Sequence, residues 1–160
     1  MTLPPDSYLG VLRRLVGARR LIVPAVRAII PDPAGRILFQ KRGDLGIWGL
    51  PAGCVEIGDS ALTALAREVK EETGLDVLSA QPFALYSGPE HHFTYPNGDQ
   101  VQAFEIAFIV DRWQGRLHID GQETLDLAFF PLDQLPDPMP PSHRESIDDY
   151  RGFTGRFIVK

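Results

Sequence analysis

Cysteine is nearly absent from this chain of 160 residues: Cys54 stands alone, so no disulfide can close within it. A lone thiol suits a reducing compartment, and a cytoplasmic protein is expected. Long apolar runs are missing too. Arg13, Arg14, Arg19, Arg20 and Arg27 interrupt the N-terminal stretch well short of membrane length, and no uninterrupted signal-peptide core precedes them. An excess of positive charge is also lacking: 16 Lys and Arg face 21 Asp and Glu, for a formal net charge of −5. That balance argues against a general nucleic-acid surface. Neither a membrane nor a nucleic acid is therefore an expected partner, and there are no internal repeats or low-complexity tracts.

What is present is ordinary for a globular protein, with 44% hydrophobic and 23% charged residues in a chain of one-domain size. Ser7 to Ala18 reads as a short amphipathic helix with Leu9, Leu12 and Leu15 at helical spacing. The nearby arginines read as a solvated face. Leu21 to Ile30 and Arg36 to Arg42 are β-rich, and Pro31-Asp32-Pro33-Ala34-Gly35 between them predicts an antiparallel hairpin. Asp76 to Tyr86, Val101 to Val110 and Thr124 to Phe130 read as further strands. In the loop before the second of these segments, Asn97-Gly98 is a tight-turn dipeptide. His91 and His92 in that loop read as surface histidines, and Phe93 and Tyr95 as packing aromatics. Ser142 is placed to cap a last helix, His143 to Tyr150, and Arg156 to Val159 has the look of an edge strand.

The most informative stretch runs from Gly53 to Leu75. Ser60 offers a hydroxyl to the free N–H groups of a first helical turn, and Gly74 can close the last turn in the left-handed conformation. Leu62, Leu65, Ala66, Val69 and Thr73 form the expected apolar face, while Ala61 and Ala64 fall on the acidic side and leave room there. Glu68, Glu71 and Glu72 stand at i, i+3 and i+4, so the three carboxylates share one side of the helix. Arg67, at i−4 to Glu71, can steady it.

A helical acidic run is most often a solvated face, where like charges at this spacing cost only about 0.2–0.5 kcal/mol per pair. In a cleft the balance changes. Two carboxylates roughly 6 Å apart, at an effective dielectric of about 20, repel by about 3 kcal/mol. Hard oxygen ligands in such a setting suit Mg²⁺ or Mn²⁺.

The same stretch resembles the Nudix box, the signature of the Nudix (MutT-like) hydrolases. Gly53, Arg67, Glu68, Val69, Glu71, Glu72, Gly74 and Leu75 match it in register, and Asp59 stands where the family carries a glutamate. Trp48-Gly49-Leu50-Pro51-Ala52-Gly53 is similar to the family's Trp-x-Leu-Pro-Gly-Gly, with Ala52 in place of a glycine. Leu132-Asp133-Gln134-Leu135-Pro136 fits a further family feature, an acid before a strand followed by Leu-x-x-Leu-Pro, which makes Glu123 a candidate.

The resemblance implies an α/β fold, the Nudix α/β/α sandwich with a mixed β-sheet. It implies a single Nudix hydrolase domain over 1–160, with 1–20 an N-terminal helical extension. The activity implied is divalent-metal-dependent cleavage of the pyrophosphate linkage in a nucleoside diphosphate joined to another moiety X. Glu68, Glu71, Glu72 and the Gly53 carbonyl would hold Mg²⁺ or Mn²⁺, Arg67 would orient the acids, and Glu71, Glu68 or Glu123 would take the proton. A homodimer is expected from family habit, through the N-terminal helix. Some Nudix-like domains sense a nucleotide without cutting it, but those often lose box acids, and all three remain here. Cys54, beside Gly53, has no identifiable partner and reads as a small apolar residue.

Overall fold

A computed structural model describes residues 6–95 and 97–160. The first five residues of the expected N-terminal extension lie outside the described residues, as does one position in the loop from Ser87 to Asp99. The extension contributes helix α1 (Tyr8–Val16), capped by the Ser7 side chain, which accepts from the Gly10 N–H. Leu9 is buried as expected, but Leu15 is 77% exposed and joins Tyr8 and Val11 in an outward apolar stripe. Arg13 does not belong to a solvated face. Its guanidinium folds back onto the carbonyls of Gly17, Arg19 and Gln100.

Two sheets follow. The mixed sheet runs β4 (Ala52–Cys54), β1 (Leu21–Ile29), β7 (Gln100–Gly115), β5 (Leu75–Tyr86) and β9 (Ile158–Val159), and the short β6 (His92–Thr94) also pairs with β7. Within it β1 lies parallel to β7 and β9 parallel to β5, whereas the other pairs are antiparallel. The smaller antiparallel sheet runs β3 (Trp48–Gly49), β2 (Ile37–Arg42) and β8 (Thr124–Phe130).

The hairpin expected between β1 and β2 is therefore present only at its turn. Asp32 accepts from the N–H groups of Ala34 and Arg36, and Pro31 bridges Ile37. Beyond that point the strands part into different sheets, because β1 finds its long partner in β7 and β2 finds its own in β8. The turn at Asn97-Gly98 forms as expected, with Gly98 at φ 88° and its N–H donated to the Tyr95 carbonyl. The terminal segment docks as an edge strand, shorter than expected, at Ile158–Val159.

Helix α2 (Ala61–Thr73) has both predicted ends. Ser60 and Thr63 form a reciprocal capping box, and Gly74 takes φ 79°. Its buried face differs from the expected one. Ala64 is fully buried with Leu65, Val69 and Thr73, whereas Leu62 is 53% exposed. The helix is thus rotated toward the side that carries Ala61, Ala64, Glu68 and Glu72, which brings those two acids inward against β4.

Alternation along β1 serves two cores. Val26 and Ala28 join Ala64, Leu65, Val69, Phe108 and Val110 beneath α2, while Ile29 joins Ile37, Phe39, Leu50, Phe83 and Ile147 on the opposite side. Ile147 comes from α3 (Pro141–Arg151), so helices cover both faces of the mixed sheet. Ser142 does not cap α3. Pro140 holds the cap position without a side-chain bond, and Pro141 begins the helix, where its missing N–H costs nothing. No described helix is long and apolar enough to cross a membrane.

Candidate active site

Gly53 and Glu68 meet where β4 passes the middle of α2. A Cβ on residue 53 would stand 2.0 Å from the Glu68 carboxyl carbon, so only glycine admits this approach. One turn further along α2, Glu72 turns toward the same strand and accepts from the Ala52 N–H at 2.9 Å. Burial pushes the Glu72 carboxyl up to about 8, and the charge of Glu68 adds to that rise. The Gln40 amide, the Ala52 N–H and the Arg42 charge pull it partly back. Glu68 is raised as well, chiefly by burial and further by Glu71 and Glu123, against the lowering pull of Arg67.

Arg67 ties this acidic corner together. Its Nη1 lies 2.7 Å from Glu68 Oε1 and 3.3 Å from Glu71 Oε2, and its Nη2 donates to the Cys54 carbonyl at 2.9 Å and to Asp59 Oδ2 at 3.0 Å. Asp59, the departure from the family pattern, therefore reaches the arginine despite its shorter side chain. That contact holds its carboxyl below the usual range.

The structure brings Gly53, Glu68 and Glu72 together at β4 and leaves Glu71 on the outer edge, its side chain 55% exposed. Glu123 is exposed just before β8 and close enough to Glu68 to raise it. Its loop is fixed by Asp120, whose carboxylate accepts from the N–H groups of Gln122, Glu123 and Thr124. Among the described residues no three His, Cys, Asp or Glu side chains form a closed metal-ligating group. The physical reason is visible in the contacts, since Arg67 spans Glu68 and Glu71 while Glu72 turns to β4. The donors are nonetheless all hard oxygens, and two of the carboxyls are crowded and resist ionisation beside one another. Such a set fits a divalent cation.

Behind the acids opens a cavity of about 370 Å³, walled by Gly53, Cys54 and Glu72 at one end and by Arg27, His91 and Glu105 at another. Its size is within the range of small-molecule pockets, about 300–1,000 Å³. Sequence reasoning missed several of its residues. Arg27 does not belong to a solvated cluster. It is 5% exposed in β1, held by Glu105 of β7 and by Ser142 and Ser146 of α3. His91 is not a surface histidine, because its side chain is only 7% exposed and its ring lies 5.4 Å from that of Tyr86. His92 is exposed as expected. Phe93 and Tyr95 do pack on each other, 4.2 Å apart, and both face the cavity.

Three further groups escaped the sequence. His143 accepts from the Leu50 N–H at 2.8 Å, and burial, with Arg27 and Arg42 nearby, keeps it neutral. Gln40 is buried beside Glu72. Its Oε1 accepts from the Thr124 hydroxyl, while its Nε2 is near enough to draw the Glu72 carboxyl down without being aligned on an acceptor. Arg42 forms a two-pronged pair with Asp44 at the cavity wall. None of these carried a sequence signal beyond the polar run Gln40-Lys41-Arg42. Cys54 is a poor nucleophile, since burial and then the charges of Glu68, Glu56 and Glu105 push its thiol up to about 12.

Comparison with known proteins places this geometry among relatives. The family model described as NUDIX domain matches residues 21–150. The chain is 33% identical over 128 residues to an ADP-ribose pyrophosphatase of Methanocaldococcus jannaschii, covering 79% of this chain and 71% of that one. It is 34% identical to the NAD-capped RNA hydrolase NudC of Vibrio atlanticus, over 74% of this chain but only 41% of that longer protein. In structure it is similar to a MutT NUDIX hydrolase from Burkholderia pseudomallei, with a TM-score of 0.69 and 26% identity over 81% of this chain and 98% of the other.

Proposed function

The chain belongs to the NUDIX domain family and is a Nudix pyrophosphohydrolase; from that premise we propose that it cleaves, with Mg²⁺ or Mn²⁺, the pyrophosphate linkage of a nucleoside diphosphate joined to a moiety X. The observation that carries this reading is the pair of inward carboxyls, Glu68 and Glu72, both raised and both set against β4, with Glu72 reaching the cavity wall. Two acids so placed repel unless a cation lies between them. The residues that would hold it are Glu68, Glu71, Glu72 and the carbonyl of Gly53. When bound, such a cation neutralises diphosphate oxygens and acidifies a water.

The remaining work falls to side chains. Arg67 orients Glu68 and Glu71 and, through the Cys54 carbonyl, anchors the strand that carries Gly53. Arg42, at the cavity wall, is placed to meet a phosphate. Among the candidate bases Glu68, Glu71 and Glu123, Glu68 is the one shielded from water, and burial raises its carboxyl above the ordinary glutamate value. X is held in the cavity, whose wall Glu72 also reaches. Residues 1–160 then act as one domain in a reducing cytoplasm, and a second copy docks across the stripe of Tyr8, Val11 and Leu15 on α1.

The test is release of nucleoside monophosphate and X-phosphate, read as free phosphate through a coupled phosphatase, from a panel of nucleoside diphosphate-X compounds, ADP-ribose among them, with Mg²⁺, with Mn²⁺ and with EDTA. The expected result is turnover that EDTA abolishes and that Glu72→Gln reduces at least about 100-fold with the fold intact. Silence across the panel, or turnover indifferent to EDTA, would overturn it.

A further inference from the structure

A buried amide stands on β2 where the strand's alternation calls for a hydrophobe. Leu38, two residues before Gln40 and on the same face, belongs to the core beneath α2, while Phe39 between them faces the other core. Gln40 also pairs across the small sheet with Leu127, a member of the core beneath α2. Gln40 is nevertheless polar and only 1% exposed. Burying an amide is unfavourable unless its groups find partners, so each of its atoms needs one.

The oxygen has its partner. Oε1 accepts from the Thr124 hydroxyl at 2.9 Å, and Thr124 is itself buried at the start of β8. The same hydroxyl lies 2.9 Å from the main-chain carbonyl of Glu72, one of the last four of α2, which the helix's own N–H groups leave open. Thr124 thus joins Gln40 to the very residue whose side chain Gln40 faces. The nitrogen has no such partner. Nε2 is enclosed, meets no aligned acceptor, and has the Glu72 carboxyl as its neighbour. Turning the amide over would set Oε1 against the Glu72 carboxylate, an acceptor facing an acceptor. Glu72 accepts from the Ala52 N–H through Oε2, and a carboxylate has room for further donors. An unused donor and an acceptor with free lone pairs therefore lie side by side.

We propose that Gln40 is a positioning residue for Glu72: backed by Thr124, its Nε2–H donates to the Glu72 carboxylate and holds that group oriented for a divalent cation. The inference rests on the hydrolase reading for the cation, and it adds two residues that act through Glu72 alone. Because Thr124 directly follows Glu123, the same linkage ties the helix acid to the strand beside the outer candidate base.

Calorimetric titration of the full-length protein with Mn²⁺ alone tests this. Thr124→Val removes the hydroxyl and keeps the branched shape, Thr124→Ser keeps the hydroxyl, and Gln40→Met removes the amide at similar length. Mn²⁺ should bind about tenfold or more weakly to Thr124→Val and Gln40→Met, and within about threefold of the natural affinity to Thr124→Ser, as expected for partners that orient a metal ligand. Natural affinity in the folded Val and Met variants would overturn the proposal. So would an equal loss in Thr124→Ser, which would trace the effect to packing, or no binding of Mn²⁺ by the natural protein. A further check needs no variant. When Mg²⁺ is added to the ¹⁵N-labelled natural protein, the Gln40 side-chain N–H signals should move and exchange more slowly with solvent as the missing hydrogen bond forms. Signals that do neither overturn the proposal whether or not the variants fold. The hydrolase reading fails separately. Variant-sensitive Mn²⁺ binding without turnover of any panel compound sinks the hydrolase and keeps the role of Gln40, and turnover with an Mn²⁺ affinity indifferent to Gln40 and Thr124 does the reverse.

Discussion

The carboxyl carbon of Glu68 lies 2.0 Å from where a side chain on residue 53 would begin. A strand and a helix are thus pressed together at a point where one acid rests on bare backbone. Gly53→Ala must move either the strand or the acid. Because Arg67 fixes the acid at 2.7 Å, the displacement passes into the whole acidic corner. Turnover is expected to fall about 100-fold with circular dichroism unchanged, as ångström-scale misplacement does elsewhere. Retention of turnover within a factor of about three would refute this account.

Asp59 meets Arg67 through Oδ2 at 3.0 Å from the loop before α2. Asp59→Asn removes the charge but keeps the size, leaving Arg67 to Glu68, Glu71 and the Cys54 carbonyl. Since the Asp59 side chain is only partly buried and Arg67 keeps its other partners, the melting temperature should move little. Activity should fall about tenfold through slackened positioning. Equal losses in activity and thermal stability would mean that Asp59 is structural only.

Glu72 and Glu68 bind protons more tightly in the folded protein than the ordinary glutamate value of 4.5, Glu72 reaching about 8. A raised folded value means that their stabilising contribution is complete below about pH 4.5 and drains away as pH climbs through about 8. In EDTA the protein should therefore lose stability across that window, by on the order of 3 kcal/mol. Mg²⁺ should reverse much of the loss, because it binds only the folded, ionised site. Thermal melts at about pH 5 and about pH 8, with and without the cation, measure both effects; a melting temperature that is flat in pH and blind to Mg²⁺ contradicts the prediction.

The outward stripe on α1 predicts self-association. Size-resolved mass should report twice the chain mass of 17.8 kDa, and Leu15→Lys should shift the population toward that single-chain value. Leu15 is chosen because it is 77% exposed, so its replacement leaves the chain's own packing untouched. A mass of 17.8 kDa for the unaltered protein would dispose of the idea.

What the sequence disclosed was local. Both caps of α2 depend on residues three or four positions away, so Ser60 and Gly74 announced them. The matching of Gly53, Arg67, Glu68, Glu71 and Glu72 to a known spacing likewise needed no tertiary knowledge. The rotation of α2 did not show, because periodicity alone cannot choose between Leu62 and Ala64. That choice is made by β4, whose Gly53 draws Glu68 inward. The partners of Arg27 lie 78 and 119 residues further along the chain, beyond the reach of any pattern in one segment. The parting of β1 and β2 was hidden for the same reason, since the strands that compete for them, β7 and β8, come much later.

The alternation along β1 has a consequence for substitution. Val26 and Ala28 support the helix that carries the acids, while Val23, Ala25 and Arg27 line the cavity. One short strand thereby packs a helix on one face and lines a cavity with the other, at alternate codons. Substitution at Val23 or Ala25 can therefore reshape the cavity while Val26 and Ala28 keep the packing beneath α2 unchanged.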